Sequence, residues 1–199
     1  MKKLVKFFIY AIFYVLTLPF GLSSKLVYRL FGTSMVFDIF AQMFSLCPGI
    51  CGTIARACFY KQTLAEAHLD LDIGFGSFVS KIETSIGPKV LITGRTTIGH
   101  AVIGEGAVIA NYVSILSGRY QHNFKDPSRP VLDKGDDFSR IVIGRNSFIG
   151  EHSVVMADIG ANSIVGAGSI VVKPIPENAV AVGNPARVVK SRTAEYSLV

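Results

Sequence analysis

Aliphatic residues recur at six-residue intervals through the second half of the chain: Ile73 and Val79, then Ile86, Ile92 and Ile98, then Ile103, Ile109 and Ile115, and later Ile143, Ile149 and Val155. A period of six fits neither a helix nor the two-residue alternation of an ordinary strand. It fits a parallel β-helix of six-residue units, in which each unit lays down one short strand and one corner, and each coil buries its aliphatic row against the next. Small or turn-forming residues follow most of these positions, as in IGEGAV (Ile103 to Val108), IGRNSF (Ile143 to Phe148), IGEHSV (Ile149 to Val154) and VGAGSI (Val165 to Ile170). Gly and Asn accept the positive φ that tight corners demand. An antiparallel sandwich would instead show alternation of period two, with turns roughly every 8–12 residues.

The period slips in places. One extra residue falls between Val79 and Ile86, one is missing between Ile98 and Ile103, and Val155 to Ile159 spans only four. Corners are where a coil absorbs such slips. From Ser117 to Ser139 the rhythm stops altogether, and the segment reads SGRYQHNFKDPSRPVLDKGDDFS. A solenoid tolerates an insertion where it projects from a corner, and such projections often form the functional face. His122 lies within it, beside Tyr120, Gln121 and Asn123. An imidazole, with an ordinary pKa near about 6.5, suits removal of a hydroxyl proton at neutral pH.

The first third follows another pattern. Phe7 to Leu22 (FFIYAIFYVLTLPFGL) runs sixteen residues without a charge, between Lys2, Lys3 and Lys6 on one side and Lys25 and Arg29 on the other. That is short of the roughly 20 residues of an upright bilayer span, and Pro19 and Gly21 are expected to break a helix near its end. A kinked span, a re-entrant or interfacial helix, and a signal peptide remain open readings. An A-x-A-like cleavage site is not evident near Leu22 to Ser24. Basic flanks on both sides favour a segment held at an anionic cytoplasmic face. Ser34 is placed to cap a helix over MVFDIFAQMFSL, and Pro48 to open another through Tyr60. These two helices either rest on lipid or pack as a subdomain on the β-helix.

Charge sharpens the division. Residues 1–65 carry seven basic side chains, Arg56 among them, and one acidic, Asp38, whereas residues 66–199 carry thirteen of each, so the whole net charge of +6 lies in the apolar third. Basic charge mixed with Phe, Leu and Ile suits a lipid surface better than a nucleic-acid groove, and no nucleic-acid partner is expected. Cys47, Cys51 and Cys58 are spaced four and seven apart without C-x-x-C spacing or a nearby His pair. They read as buried free thiols, and no metal site is expected. His68, at the junction with the first third, and His100 and His152, at corner positions, read as solvent-facing.

The repeats, the interrupting segment and the closing stretch VGAGSIVVKPIPENAVAVGNPARVVK (Val165 to Lys190) together resemble the hexapeptide-repeat acyltransferases. The likeness covers about residues 70–190 and is to the branch of maltose and galactoside O-acetyltransferases and the O-acetyltransferases of surface-polysaccharide synthesis. It implies a left-handed parallel β-helix of three units per coil, a homotrimer with sites between subunits, and acetyl-CoA as acyl donor. The mechanism implied is direct transfer: a loop histidine takes the acceptor proton, the alkoxide attacks the thioester, and backbone amides steady the oxyanion. Relatives often read T-A-T-H where this chain reads SGRY, which puts Tyr120 at that histidine's position and His122 two residues later. The resemblance makes His122 the catalytic base, with Asn111 and Tyr120 on the acceptor. Ala167 and Gly168 then line the pantetheine path, and Lys173, Arg187 and Lys190 stand near the CoA phosphates. The spacings of 22 and 30 residues between His100, His122 and His152 do not match the zinc ligands of γ-class carbonic anhydrases.

The expected organisation is therefore a membrane-associating helical region at 1–65, a β-helix acyltransferase domain at 66–190 with a projecting loop at 117–139, and a tail at 191–199. The expected place is the cytoplasmic face of the cell membrane, and the acceptor a sugar hydroxyl of a surface polysaccharide or lipid-linked glycan. A non-enzymatic β-helix scaffold and an N-acyltransferase on an amino sugar are the alternatives.

Overall fold

The computed structural model describes residues 2–118, 120–122, 128–132, 134–137 and 139–193. From Asp72 onward the chain winds through three sheets of short parallel strands, visited in rotation. The first face stacks Asp72–Ile73, Leu91–Ile92, Val108–Ile109, Phe148–Ile149, Ile164–Val165 and Ala179–Val182, and ends on an antiparallel strand, Arg187–Ser191. The second face stacks Phe78–Val79, Thr97–Ile98, Ser114–Ile115, Val154–Val155 and Ile170–Val171. The third stacks Ser85–Ile86, Ala101–Ile103 and Ile141–Ile143, continued by single bridges at Ile159 and Ile175.

The six-residue row points inward on every face. Ile73, Ile92, Ile109, Ile149 and Val165 are all 0 % exposed, and each buried side chain of this size contributes roughly 1.5–3 kcal/mol. Small hydroxyl residues close the corners. Ser147 Oγ donates to the Gly160 carbonyl of the next coil at 2.9 Å, and Ser163 Oγ to that of Pro176 at 2.7 Å. Asn146, Asn162 and Asn178 hold φ of 52°, 56° and 55° at one edge, where an Asn tolerates the left-handed conformation. Asn162 Nδ2 donates to Asn178 Oδ1 at 3.3 Å.

The slips in the period all fall at one edge. First to second face is six residues in every coil, as in Ile73 to Val79 and Val165 to Val171, and third to first is likewise six, as in Ile86 to Ile92 and Ile143 to Ile149. Second to third face varies: seven residues from Val79 to Ile86, five from Ile98 to Ile103, twenty-eight from Ile115 to Ile143, and four from Val155 to Ile159. The inserted segment leaves from this edge and contains a hairpin, Tyr120–His122 against Lys134–Asp137.

Three helices precede the coil: α1 (Lys2–Phe31), α2 (Met35–Ser45) and α3 (Gly49–Thr63). Contrary to the expected break, α1 passes through Pro19 and Gly21. Pro19 removes the N–H that would bond the Val15 carbonyl and crowds the preceding turn, and side chains tie that turn to itself and to α3. Gln62 Nε2 of α3 donates to the Tyr14 carbonyl at 2.9 Å and to Thr17 Oγ1 at 2.9 Å, while Thr17 Oγ1 donates to the Phe13 carbonyl at 2.9 Å. Gly21 is a contact glycine rather than a breaker, because a Cβ there would stand 2.6 Å from Gln62 Oε1. Leu4–Phe31, which contains an 18-residue window of mean hydropathy 1.8, is long and apolar enough to cross a membrane by length and composition.

The helices also pack on the first coil. Tyr60 of α3 accepts the Val79 N–H at 3.0 Å, and the Gly76 N–H donates to the Ser45 carbonyl at 2.7 Å. Arg56, counted in the sequence with the surface charge, is 1 % exposed. Its guanidinium donates to the carbonyls of Ile73 (2.8 Å), Phe44 (2.9 Å) and Cys47 (2.8 Å). Those last two carbonyls belong to the C-terminal end of α2, where the helix dipole favours a cation. The reading of three buried thiols holds for Cys58 alone, since Cys51 is exposed and Cys47 half-buried. Burial pushes the Cys58 thiol up to about 11.

Candidate functional site

The residues that the sequence singles out fall on two edges of the prism, and the second face lies between them. At the edge from second to third face, the inserted hairpin pairs His122 with Lys134 and Tyr120 with Asp137. His122 is exposed there. Lys173, also exposed, sits at the same edge between Val171 and Ile175, two coils further on. The rest of the loop that the sequence singled out, at residues 119, 123–127, 133 and 138, lies outside the described residues, as do residues 194–199 of the tail.

The other edge, from first to second face, gathers Asn111, Ala167 and Gly168. Constant six-residue spacing keeps equivalent corner positions in register, so Phe75, Gly94, Asn111, Glu151 and Ala167 form one column and Gly76, Arg95, Tyr112, His152 and Gly168 the next. Asn111 bridges coils on both sides: its Oδ1 accepts the Gly94 N–H at 2.8 Å, and its Nδ2 donates to Glu151 Oε1 at 2.9 Å. Ala167 and Gly168 are exposed, and the Gly168 N–H donates to the Glu151 carbonyl at 2.7 Å. The turn before Arg187 docks on this edge through the Ala186 N–H to the Ile170 carbonyl, at 2.8 Å. Arg187 and Lys190 follow on the last strand, both exposed.

Tyr112 is a residue that sequence reading passed over, and its partner is His152. Their rings stack at 4.8 Å between centroids and 8° between planes, and the Arg95 guanidinium lies 5.7 Å from the Tyr112 centroid and donates to its hydroxyl at 2.5 Å. His152 is exposed, as its corner position implied, and joins this stack with φ 58°. A depression of about 330 Å³ lies beside the column, lined by Phe75, Gly94, Arg95, Asn111 and Tyr112. The signal that could have found it is register: positions 95, 112 and 152 each lie three residues after the inward aliphatic of their own coil.

One chain does not bring all the sequence-chosen residues together. His122, Tyr120 and Lys173 belong to one edge, and Asn111, Ala167, Gly168 and the start of the Arg187 strand to the other.

Comparison with solved structures finds the same fold in acetyltransferases, a hexapeptide-repeat one among them. The chain resembles a maltose O-acetyltransferase from Clostridium difficile 630 with a TM-score of 0.68 and 23 % identity, over 78 % of this chain and 84 % of that one. It resembles a galactoside acetyltransferase in complex with coenzyme A with a TM-score of 0.67 and 24 % identity, over 79 % and 80 % of the two chains. A hexapeptide-repeat acetyltransferase from Vibrio cholerae, complexed with acetyl coenzyme A, aligns with a TM-score of 0.59 and 18 % identity, over 80 % and 89 %. At these identities the likeness establishes the fold. No protein-family model and no curated protein matches the sequence.

Proposed function

We propose that this protein is an acetyl-CoA-dependent O-acyltransferase acting on a sugar hydroxyl of a surface polysaccharide or lipid-linked glycan. It works as a homotrimer of left-handed β-helices at the cytoplasmic face of the cell membrane. The observation that carries the reading is the single large insertion in the coil: it leaves one edge as a hairpin whose first strand bears His122, an exposed residue. The names of the solved relatives support it, since they are acetyltransferases crystallised with coenzyme A or acetyl coenzyme A.

In this reading His122 removes the proton from the acceptor hydroxyl, the alkoxide attacks the thioester carbonyl, and coenzyme A leaves as the thiol. Asn111 holds the acceptor. Its amide is already fixed between Gly94 and Glu151, so it presents its remaining N–H without loss of side-chain freedom. Tyr120 flanks the acceptor from the hairpin. Ala167 and Gly168 lie along the pantetheine arm, with no bulk to obstruct it, and Lys173, Arg187 and Lys190 serve the nucleotide phosphates. The separation of the two edges favours the trimer: a neighbour's first-to-second edge set against this chain's hairpin unites the base with the acceptor and cofactor residues.

Acetyl-CoA that binds only the native state raises the melting temperature in proportion to its affinity, and a flat thermal-shift titration at saturating cofactor would end the enzyme reading. His122→Ala is expected to keep that shift and lose about 10²–10⁴-fold in turnover, the contribution of a general base. Full turnover in that variant would move the base elsewhere.

A further inference from the structure

We propose that α1 lies flat in the membrane interface rather than across the bilayer, so that the β-helix stands upright on the lipid and its transfer site is held at a set height above it. Both halves of α1 rest against the start of the coil. Near its beginning Lys6, Phe7 and Tyr10 line a hollow with Leu69 and Asp70, and near its end the Tyr28 hydroxyl donates to Glu83 Oε1 at 2.5 Å. Those contacts span about 33 Å of helix at 1.5 Å per residue, so the axis runs along the base of the prism and does not project from it.

The two sides of α1 differ in kind. The side toward α3 is a polar and small stripe in which Thr17, Gly21 and Ser24 are buried and the Gln62 amide is received. Swinging α1 out to span would part the Gln62 amide from the Tyr14 carbonyl and Thr17 Oγ1 and turn the hydroxyl-bearing stripe toward hydrocarbon, where polar groups are costly. The outer side is continuous apolar surface, with Phe7, Ile12, Val15 and Leu22 each more than half exposed, and α2 and the turn after it extend it through Met35, Ile39 and Leu46. Nineteen of the twenty-nine exposed large apolar side chains among the described residues fall between Leu4 and Ile50.

Charge selects the occupant. Lys6 and Arg29 are exposed and Lys25 half-exposed, whereas Asp38, the only carboxylate in residues 1–65, is half-buried. The helices of this apolar face carry exposed cations and no exposed carboxylate, while Asp70 and Glu83, on the chain that follows, are exposed beside Lys6 and Arg29; the charge borne by the helices themselves matches an anionic lipid surface. The hairpin and Asn111 both lie on the third coil, roughly 10 Å above the first at the spacing of paired strands. With the thickness of a helix beneath, the transfer point stands roughly 20 Å from the lipid, within reach of a short glycan on a membrane lipid. That last step rests on the acyltransferase reading; the orientation does not.

The test uses the full chain with Cys47 and Cys51 changed to Ser, on sealed vesicles of phosphatidylcholine with and without phosphatidylglycerol. Binding is expected to be several-fold tighter with the anionic lipid, and Lys25→Glu with Arg29→Glu to remove that difference. Lys6→Cys and Thr33→Cys, introduced singly, are expected to react with an impermeant maleimide from the same side of the bilayer. Protection of one end alone establishes a span and overturns the proposal. Absence of vesicle binding, with the apolar face covered in a larger oligomer, also overturns it and makes a second copy the occupant. An acetyl-CoA thermal shift measured in parallel separates either failure from failure of the enzyme reading.

Discussion

The helical layer and the coil are both rich in aliphatic side chains, and they satisfy them in opposite ways. In the coil each inward residue meets its own equivalent one rung above and below, as Ile92 meets Ile73 and Ile109, so every rung repeats the same small set of contacts. The layer has no repeat. It depends on a few unlike groups, Arg56, Tyr60 and Gln62, each joining two elements, and it leaves its outer face apolar. Stability is therefore spread evenly over one region and concentrated in single residues of the other.

Removing the most concentrated of these groups tests that contrast hardest. Arg56→Met keeps most of the buried volume but leaves the carbonyls of Ile73, Phe44 and Cys47 without their donor. We expect a loss of about 2–4 kcal/mol, from buried carbonyls left short of a donor at about 1–3 kcal/mol each. Denaturant unfolding at fixed protomer concentration, with detergent over the apolar face, measures it. A cost below about 1 kcal/mol would mean that the layer and the coil are not joined through this side chain.

A rung of the coil should respond less. Ser163 Oγ donates to the Pro176 carbonyl at 2.7 Å and accepts the Ala179 N–H at 3.2 Å, and the residue is 0 % exposed. Ser163→Ala removes both bonds and is expected to cost about 1–2 kcal/mol. The same experiment gives the comparison directly. A loss equal to that of Arg56→Met would show that the rungs act as one cooperative unit and not as nearly independent neighbours.

What the sequence made legible follows the same division. The rows Ile73 to Val155 and the interruption after Ser117 were readable because a repeat writes tertiary contact into local spacing. The layer's partners are not encoded that way: nothing near Arg56 in the chain announces carbonyls seventeen residues on at Ile73, and Pro19 reads as a breaker until Gln62, distant in sequence, bonds the turn it disturbs. The slips at Ile86, Ile103 and Ile159 were visible singly, but their confinement to one edge required the three faces to be assigned. For the candidate site, spacing located the hairpin bearing His122. It did not find the Tyr112 and His152 stack, because side chains equivalent in register are separated there by the whole insertion.

The smallest effect is expected at Asp38, where the layer carries a cost that the coil avoids. Burial raises its carboxyl above the ordinary value of 3.8, the Ser34 hydroxyl offsets this in part by donating to Oδ2 at 3.2 Å, and Oδ1 is buried without a partner. Its place in the first turn of α2 favours the charge, but the net shift is upward, so desolvation wins. Because the folded state then holds its proton more tightly than the unfolded one, the contribution of Asp38 to stability is most favourable below about pH 4 and falls as pH rises through the raised value, levelling above it. Asp38→Asn removes the ionisation. It should match the parent protein in acid and exceed it at neutral pH by less than about 1 kcal/mol, since the site is only partly buried. Melting temperatures of the pair across pH 3.5 to 7.5 read this as a gap that opens with rising pH, and a gap of the opposite sign would show that the α2 dipole and Ser34 outweigh burial.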